Sequence, residues 1–444
     1  MTAARKDAYD VVVIGGGPAG ATVATLVAQG GLERGLSVLL LERAPEPRFK
    51  VGESLMPATF WTLDRMGVLD KMRASFFPKK MSVQFFTTSG RATSPFYFFE
   101  NDDHPSSQTW QVTRKDFDGM LLEHAAEQGV DVRLGANVRE VLFEGDRAVG
   151  VRVELAGLDD SDNGGSEPTT REIRSRVVVD ASGQSAFLAR KLGLRQVDEC
   201  LRNVSYFTHF EGAKRDHGID EGATLILHTR NQDSWFWFIP LPEDRASVGV
   251  VGPVQYLVRD REGDPQEVFE QELALCEPLQ ERLEGACQVR EVQVAKDFSY
   301  LSDRIAGDGW VMAGDAFGFL DPIYSSGIFL ALQSGEMAAD AILEALEADD
   351  VSAARLGSFH DTYLEGMKAF RKLVYAFYDK DFSFARFLER FPECREPVVE
   401  LLVGNVFRKD VSGLMKAIDT YWAETRGAAT PQGEATSAVA TGGG

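Results

Sequence analysis

Positive charge is scarce in this chain. Its 444 residues carry 47 lysines and arginines against 68 aspartates and glutamates, a formal net charge of −21. Nucleic-acid phosphates need a basic footprint, so this balance argues against DNA or RNA as a partner. It argues equally against anionic membrane surfaces, and its plain effect is solubility. Cysteine is rare too: Cys200, Cys276, Cys287 and Cys394 show no paired spacing. That excludes a disulfide framework, and it fits a reducing cytoplasmic setting with no metal site. No apolar run approaches the roughly 18 residues of a membrane span. The apolar run near the N-terminus reads as the first strand of a fold rather than a leader. No internal repeat is visible, and only one Gly-rich nucleotide fingerprint is present.

That fingerprint is the strongest local signal. Asp10 to Ile14 is an apolar strand, followed at once by Gly15-Gly16-Gly17-Pro18-Ala19-Gly20 and a helix of small residues from Ala19 to Ala28. Gly15, Gly17 and Gly20 have the dinucleotide spacing: one for the tight turn, one for the approach of a pyrophosphate, one for helix–strand packing. The helix start then offers free N–H groups to phosphate. A second strand, Ser37 to Leu41, ends in Glu42, placed to accept from ribose hydroxyls. The spacing from turn to acid exceeds the usual interval of about 20 residues. The polar insertion Gly30 to Gly35 accounts for the excess.

Further along, Gly52-Glu53-Ser54 and Pro57 lie in a loop before a helix starting near Ala58. Lys79 to Phe86 reads as one strand, on which neighbours Lys79 and Lys80 face opposite ways. Thr113 is a plausible N-cap for the helix that Arg114 begins. Val130 to Leu134 is a strand, Val138 to Leu155 a hairpin, and Val177 to Asp180 a strand running into Gly183. Asp159 to Thr170 reads as the loop of a hairpin. From Leu201 to about Gly252 the period changes to two, giving an antiparallel meander. Within it Trp235, Trp237 and Ile239 face one way and Phe236 and Phe238 the other, so the strand is buried on both sides or lines a cavity. Gly309 to Ala316 returns to strand-then-Gly-Asp. Asp321 to Gly327 is a turn that opens a long helix, Ile328 to Ala348. Aromatic-dense helices follow from Phe359 to Trp422, for which packing on the main body is the default over a lid, a dimer surface or a membrane face. The tail from Gly427 has too little apolar content to fold.

The fold class is therefore α/β: a Rossmann-like dinucleotide domain with an inserted antiparallel sheet and a C-terminal helical region. The expected division is 8–195 with 295–348 for the nucleotide domain, 196–294 for the sheet domain, to which 80–107 contributes, 349–424 for the helices, and 425–444 as a disordered tail.

The opening unit, Arg114, Asp180 to Gly183 and Gly314-Asp315 resemble the glutathione-reductase-type FAD fold of aromatic hydroxylases. Within that group Gly52-Glu53-Ser54 with Pro57, Lys80, and Trp235-Phe236-Trp237-Phe238-Ile239-Pro240 resemble the flavin-dependent halogenases, the last matching their Trp-x-Trp-x-Ile-Pro signature. The resemblance runs from about Tyr9 to Trp422. It implies FAD contacts from Gly15, Gly17, Ala19, Gly20, Glu42, Arg43, Gly52, Glu53, Ser54, Arg114, Val138, Asp180, Gly314, Asp315 and Gly327. It implies a halide site on the Ser326 and Gly327 N–H groups, a catalytic Lys80, and a substrate channel at Trp235, Trp237, Ile239 and Pro240. Tyr324-Ser325-Ser326-Gly327 lacks the glutamate of the indole-acting branch, so the resemblance is to the phenol and pyrrole branch, or the alkyl branch.

What the resemblance implies chemically is hypohalous acid made from O₂ and halide beside reduced flavin, then carried to Lys80, which holds it by a hydrogen bond or as a haloamine. A buried lysine has its pKa lowered, which makes the amine form accessible. The tryptophan strand would keep organic substrate off the flavin. Reduced flavin (FADH₂) is expected from a separate flavin reductase, since a second nucleotide fingerprint is missing. The substrate is expected to be a small electron-rich aromatic, free or tethered to a carrier protein; the acidic net charge favours the free form. Oligomeric state is not legible. Two other readings stay open: a flavin monooxygenase or reductase of an unsaturated substrate, and a non-catalytic FAD-binding protein.

Overall fold

The computed structural model describes residues 7–100, 102–155, 169–296 and 299–426. Most of the Asp159–Thr170 loop and the tail from Gly427 lie outside the described residues. The main sheet is built around the strand Ala8–Ile14, which pairs in parallel with Val38–Glu42 on one side and Thr169–Asp180 on the other. Val11, Val12 and Val13 are fully buried. That is the pattern of a parallel strand covered on both faces. Asp131–Leu134 extends the sheet at one edge and Trp310–Met312 at the other, both parallel. The hairpin Ala136–Glu144 and Arg147–Leu155 joins it antiparallel. Helices Pro18–Gly30 and Ser326–Glu347 pack against each other over one face.

The second sheet runs in the order Cys287–Gln288, Asn203–Glu211, Arg245–Pro253, Trp235–Pro240, Thr224–His228, Ser82–Phe86 and Phe96–Tyr97. Its pairs are antiparallel except Thr224–His228 with Ser82–Phe86. Both faces are buried. Phe236 and Phe238 join one apolar cluster with Leu225, Val248 and Phe269. Trp235, Trp237 and Ile239 join another with Phe207, Ile226 and Val251. Trp237 lies over Gly249, its cross-strand partner. A Cβ there would meet the indole at 2.3 Å. The missing side chain is what lets the ring lie flat on the sheet.

Two expectations are corrected here. The strand foreseen from Lys79 to Phe86 is broken at Met81. Lys79–Lys80 pairs instead with Thr109–Trp110, and only Ser82–Phe86 enters the second sheet. Thr113 does occupy the N-cap of the helix Arg114–Glu127, but its hydroxyl is bonded to the Asp116 carboxylate rather than to a helix N–H. The C-terminal helices pack on the body: Phe370 and Phe387 are buried in the main core, while Tyr375, Phe377 and Tyr378 lie against the tryptophan face of the second sheet. Among the described residues no helix is long and apolar enough to cross a membrane.

Candidate active site

At the first turn Gly15 has φ +106°, and a Cβ on it would meet the Ala181 carbonyl at 2.4 Å. A Cβ on Gly20 would lie 1.9 Å from the Gly15 carbonyl. Both positions exclude a side chain. Gly17 differs: a Cβ there meets nothing closer than Lys50 Nζ at 4.0 Å, so the space before the turn is open. The first-turn N–H groups of the helix, including those of Ala19 and Gly20, have no intrahelical acceptor. An open glycine face, a helix start and a lysine ammonium suit a pyrophosphate. Glu42 closes the strand beside them, Oε2 accepting from Gly16 N–H (2.8 Å) and Oε1 from Ala44 N–H (2.9 Å). Each oxygen keeps a lone pair for a ribose hydroxyl. Arg43 is exposed at the strand end and Val138 is buried in the hairpin.

Arg114 and the 48–57 loop form the next layer. Arg114 Nη1 donates to the Val51 carbonyl (3.0 Å), and Nε and Nη2 donate to the Asp118 carboxylate at 2.9 and 3.0 Å. Lys50 Nζ reaches the same carboxylate at 3.3 Å. Asp315 lies within the field of both cations. Burial pushes its carboxyl up to about 6, against the downward pull of Arg114 and Lys50. Gly314 N–H is held by Ser334 Oγ (2.8 Å), which fixes that turn. The loop is tied to the second sheet by Glu53, whose Oε1 lies 3.0 Å from His209 Nε2, both side chains buried. Phe49 meets the His209 ring edge-on at 4.8 Å. The buried Asp180 carboxylate accepts from Ser182 N–H (3.0 Å) and Leu188 N–H (2.7 Å), which fixes the turn after its strand.

Lys80 is 2 % exposed, whereas its neighbour Lys79 is exposed. Its Nζ donates to Ser54 Oγ (2.8 Å) and the Leu55 carbonyl (3.1 Å), and lies 5.6 Å from the Phe98 ring centroid. Among the described residues no carboxylate balances it. Burial lowers the ammonium from 10.5 to about 7. Lys80 opens onto an apolar pocket walled by Met56, Val83, Phe85, Phe96, Phe98 and Leu402, with Thr224, Tyr324 and Ser325 as its other polar groups.

Tyr324 and Ser325 bring the second turn into that pocket. Ser325 sits in the left-handed region at φ +56°, and the helix starts at Ser326, two residues earlier than expected. Ser326 and Gly327 are thus in the first turn, where N–H groups face outward unpaired. Behind them Asp321, 1 % exposed, accepts from Ile323 N–H (3.0 Å), Asn203 Nδ2 (3.2 Å) and the Tyr378 hydroxyl (3.1 Å). Burial pushes its carboxyl up to about 7. The Tyr378 hydroxyl in turn accepts from Trp235 Nε1 at 3.0 Å, and Trp237 Nε1 donates to Ser247 Oγ at 3.1 Å.

The structure therefore brings Lys80, Ser54 and residues 323–325 of the second turn together. It does not bring Trp235, Trp237, Ile239 or Pro240 to the wall of the Lys80 pocket. Trp237, Ile226 and Phe85 lie in register across three adjacent strands, and only Phe85 reaches the pocket. Sequence reasoning missed Thr224, Gln111, His209, Asp118, Asp321 and Tyr378. Polar residues inside apolar runs, such as Thr224 before Leu225-Ile226-Leu227, were the available signal.

Comparison with known proteins agrees with this geometry. A family model described as an FAD binding domain matches residues 8–374. The 1H-pyrrole-2-carbonyl-(peptidyl-carrier protein) brominase of Pseudoalteromonas luteoviolacea is 33% identical over 405 residues, 90% of this chain and 92% of that one. The corresponding chlorinase of Pseudomonas fluorescens is 31% identical over 420 residues, 90% of each. Among solved structures, a flavin-dependent brominase gives a TM-score of 0.80 at 31% identity, covering 94% of this chain and 100% of that one. A myxobacterial chondrochloren halogenase gives 0.76 at 32%, covering 94% and 97%. Matched over nine-tenths of its length at 31–33% identity, with an FAD binding domain model spanning residues 8–374, the chain belongs to the flavin-dependent halogenases, and its cofactor is FAD.

Proposed function

We propose that this enzyme halogenates a pyrrole-type acyl ring carried on a carrier protein, through hypohalous acid directed by Lys80. The observation that carries the reading is a buried lysine without a carboxylate beside it among the described residues, in an apolar pocket that Ile323, Tyr324 and Ser325 also line. Bound FAD, once reduced, supplies the oxidation of halide by O₂ to hypohalous acid. The Ser326 and Gly327 N–H groups hold chloride or bromide at the helix start, where the dipole favours an anion. Gly15, Gly17, Gly20 and Glu42, with Lys50 and Arg114 beside them, hold the dinucleotide. Lys80 holds the hypohalous acid through N–H or as a haloamine, beside the ring. An arene C–H and hypohalous acid give a carbon–halogen bond and water, so the lysine is unchanged over a cycle. The apolar wall excludes water that would otherwise compete.

The relatives named for pyrrole-2-carbonyl carriers favour a tethered substrate over the free one that net charge alone suggested. Reduced flavin comes from a separate flavin reductase. The test supplies enzyme, FAD, a flavin reductase, NADPH, and chloride or bromide to a pyrrole-2-carboxyl-loaded carrier protein and to the free acid. The expected product is the carrier-bound ring with the halogen isotope pattern, lost with Lys80→Ala. Oxygenated product without halogen, or flavin reduction by NADPH alone at the turnover rate, would overturn the corresponding part of the reading.

A further inference from the structure

We propose that Gln111, Thr224 and Ser54 form a hydrogen-bonded track of fixed polarity that positions Lys80 Nζ so that it always turns an N–H, never a lone pair, into the pocket. The inference rests on the lysine reading above and deepens it. The track starts at Gln111. Its Nε2 donates to the Gly222 carbonyl (2.8 Å) and to Thr224 Oγ1 (2.9 Å). A carbonyl oxygen only accepts, so the amide orientation is set by Gly222 and both Nε2 protons are used. Gln111 Oε1 stays buried without a partner, so this orientation is kept despite a desolvation penalty.

Polarity then propagates. Thr224 Oγ1 accepts from Gln111 through one lone pair, and either hydroxyl could donate in its 3.0 Å contact with Ser54 Oγ; among the described residues Ser54 Oγ is the one acceptor within reach of the Thr224 proton, so the track runs from Thr224 to Ser54. Ser54 Oγ accepts that proton and is left with one lone pair and one proton for Lys80 Nζ at 2.8 Å. When Lys80 is an ammonium, Ser54 uses the lone pair and accepts. When Lys80 is an amine, Ser54 rotates its proton onto the nitrogen lone pair. In both states the Leu55 carbonyl takes a second N–H at 3.1 Å, and the remaining N–H faces the pocket. No heavy atom has to move. Loss of the lysine proton therefore leaves the pocket facing a donor, which suits the oxygen of hypohalous acid and disfavours capture of halogen by nitrogen. Ser54 and Thr224 are positioning residues in this scheme. The first lies in the 48–57 loop and holds the lysine directly, and the second, from the inserted sheet, holds the first.

The test measures halogenated product per flavin oxidised, in chloride or bromide with the loaded carrier, for four variants. Ser54→Ala is expected to lower that ratio at least about tenfold, the scale of a lost hydrogen bond to a charged group. Thr224→Val, equal in volume but unable to donate, is expected to lower it several-fold, and Thr224→Ser to restore it. A parental ratio in Ser54→Ala or Thr224→Val overturns the inference. So does failure of Thr224→Ser to restore a loss seen in Thr224→Val, since that loss then comes from shape. Loss of FAD from Ser54→Ala overturns it as well, because Ser54 then belongs to the cofactor site. Lys80→Ala is the separate control: parental halogenation there removes the lysine reading itself, whatever the other variants do.

Discussion

Replacing Lys80 by methionine keeps the length and apolar stem of the side chain and removes its charge. The folded protein holds this lysine in apolar surroundings, where burial brings its pKa from 10.5 to about 7. At about 1.4 kcal/mol per pH unit, holding it as an ammonium destabilises the folded state by roughly 5 kcal/mol. Methionine removes that penalty but leaves the Leu55 carbonyl and Ser54 hydroxyl short of a donor, which costs about 1–2 kcal/mol. The variant should therefore be more stable by about 3 kcal/mol at pH 6. The sign of the pH dependence follows from proton counts. Below pH 7 both folded and unfolded lysine are protonated, and the gap is constant and at its widest. Between 7 and 10.5 only the unfolded chain keeps the proton, so the parent gains stability with rising pH and the gap closes. Urea denaturation of parent and Lys80→Met at pH 6, 7.5 and 9 reads this directly, with halogenation abolished in the variant throughout. A gap that is absent at pH 6, or that does not shrink by pH 9, refutes the picture of a buried lysine without a counter-charge. Stability gained as activity is lost is the expected exchange at a site kept for function.

Three other outcomes follow from the geometry. Gly17→Val is expected to fold, because the space before the turn is open, yet to purify with FAD affinity weakened at least about a hundredfold; a flavin spectrum equal to the parent's would place the cofactor elsewhere. Gly249→Ala puts a methyl into the Trp237 ring and should destabilise by about 1–3 kcal/mol, read by denaturation and by a shift in tryptophan emission. Halide KM should be flat below about pH 6 and climb above pH 7, because Asp321 titrates near 7 behind the Ser326 helix start and its ionised form repels an anion; Asp321→Asn should flatten that profile.

The contrast between what the chain disclosed and what it hid is physical. Gly15 and Gly20 were legible because the turn, the helix and both strands are contiguous, and each has one steric reason, a carbonyl at 2.4 and 1.9 Å from where its Cβ would stand. Strand parity showed that only one of Lys79 and Lys80 could face inward; which one needed the fold, where Lys80 is buried and Lys79 exposed. The break at Met81 was not legible: alternation continues through it, and only the competing partners Thr109–Trp110 and Thr224–His228 divide the segment. Nor was the Trp235–Tyr378–Asp321 chain, whose partners lie 143 and 57 residues apart. The bond from Leu188 N–H to the Asp180 carboxylate was not legible either, because its partners lie eight residues apart across a glycine turn.

The Tyr378 hydroxyl, taking Trp235 and giving to Asp321, also sets an order of assembly. The glycine turn and its acid are complete once about the first tenth of the chain has emerged from the ribosome. The Lys80 pocket is not. It needs Thr224 from the inserted sheet, Tyr324 and Ser325 from the second turn, and Leu402, next to the Val403 carbonyl that accepts from Ala58 N–H at 2.9 Å. A nascent or truncated chain ending before residue 378 would lack both the hydroxyl that joins Trp235 to Asp321 and the Leu402 wall of the Lys80 pocket. Late closure of that pocket makes the C-terminal helices the last elements to take their place around Lys80.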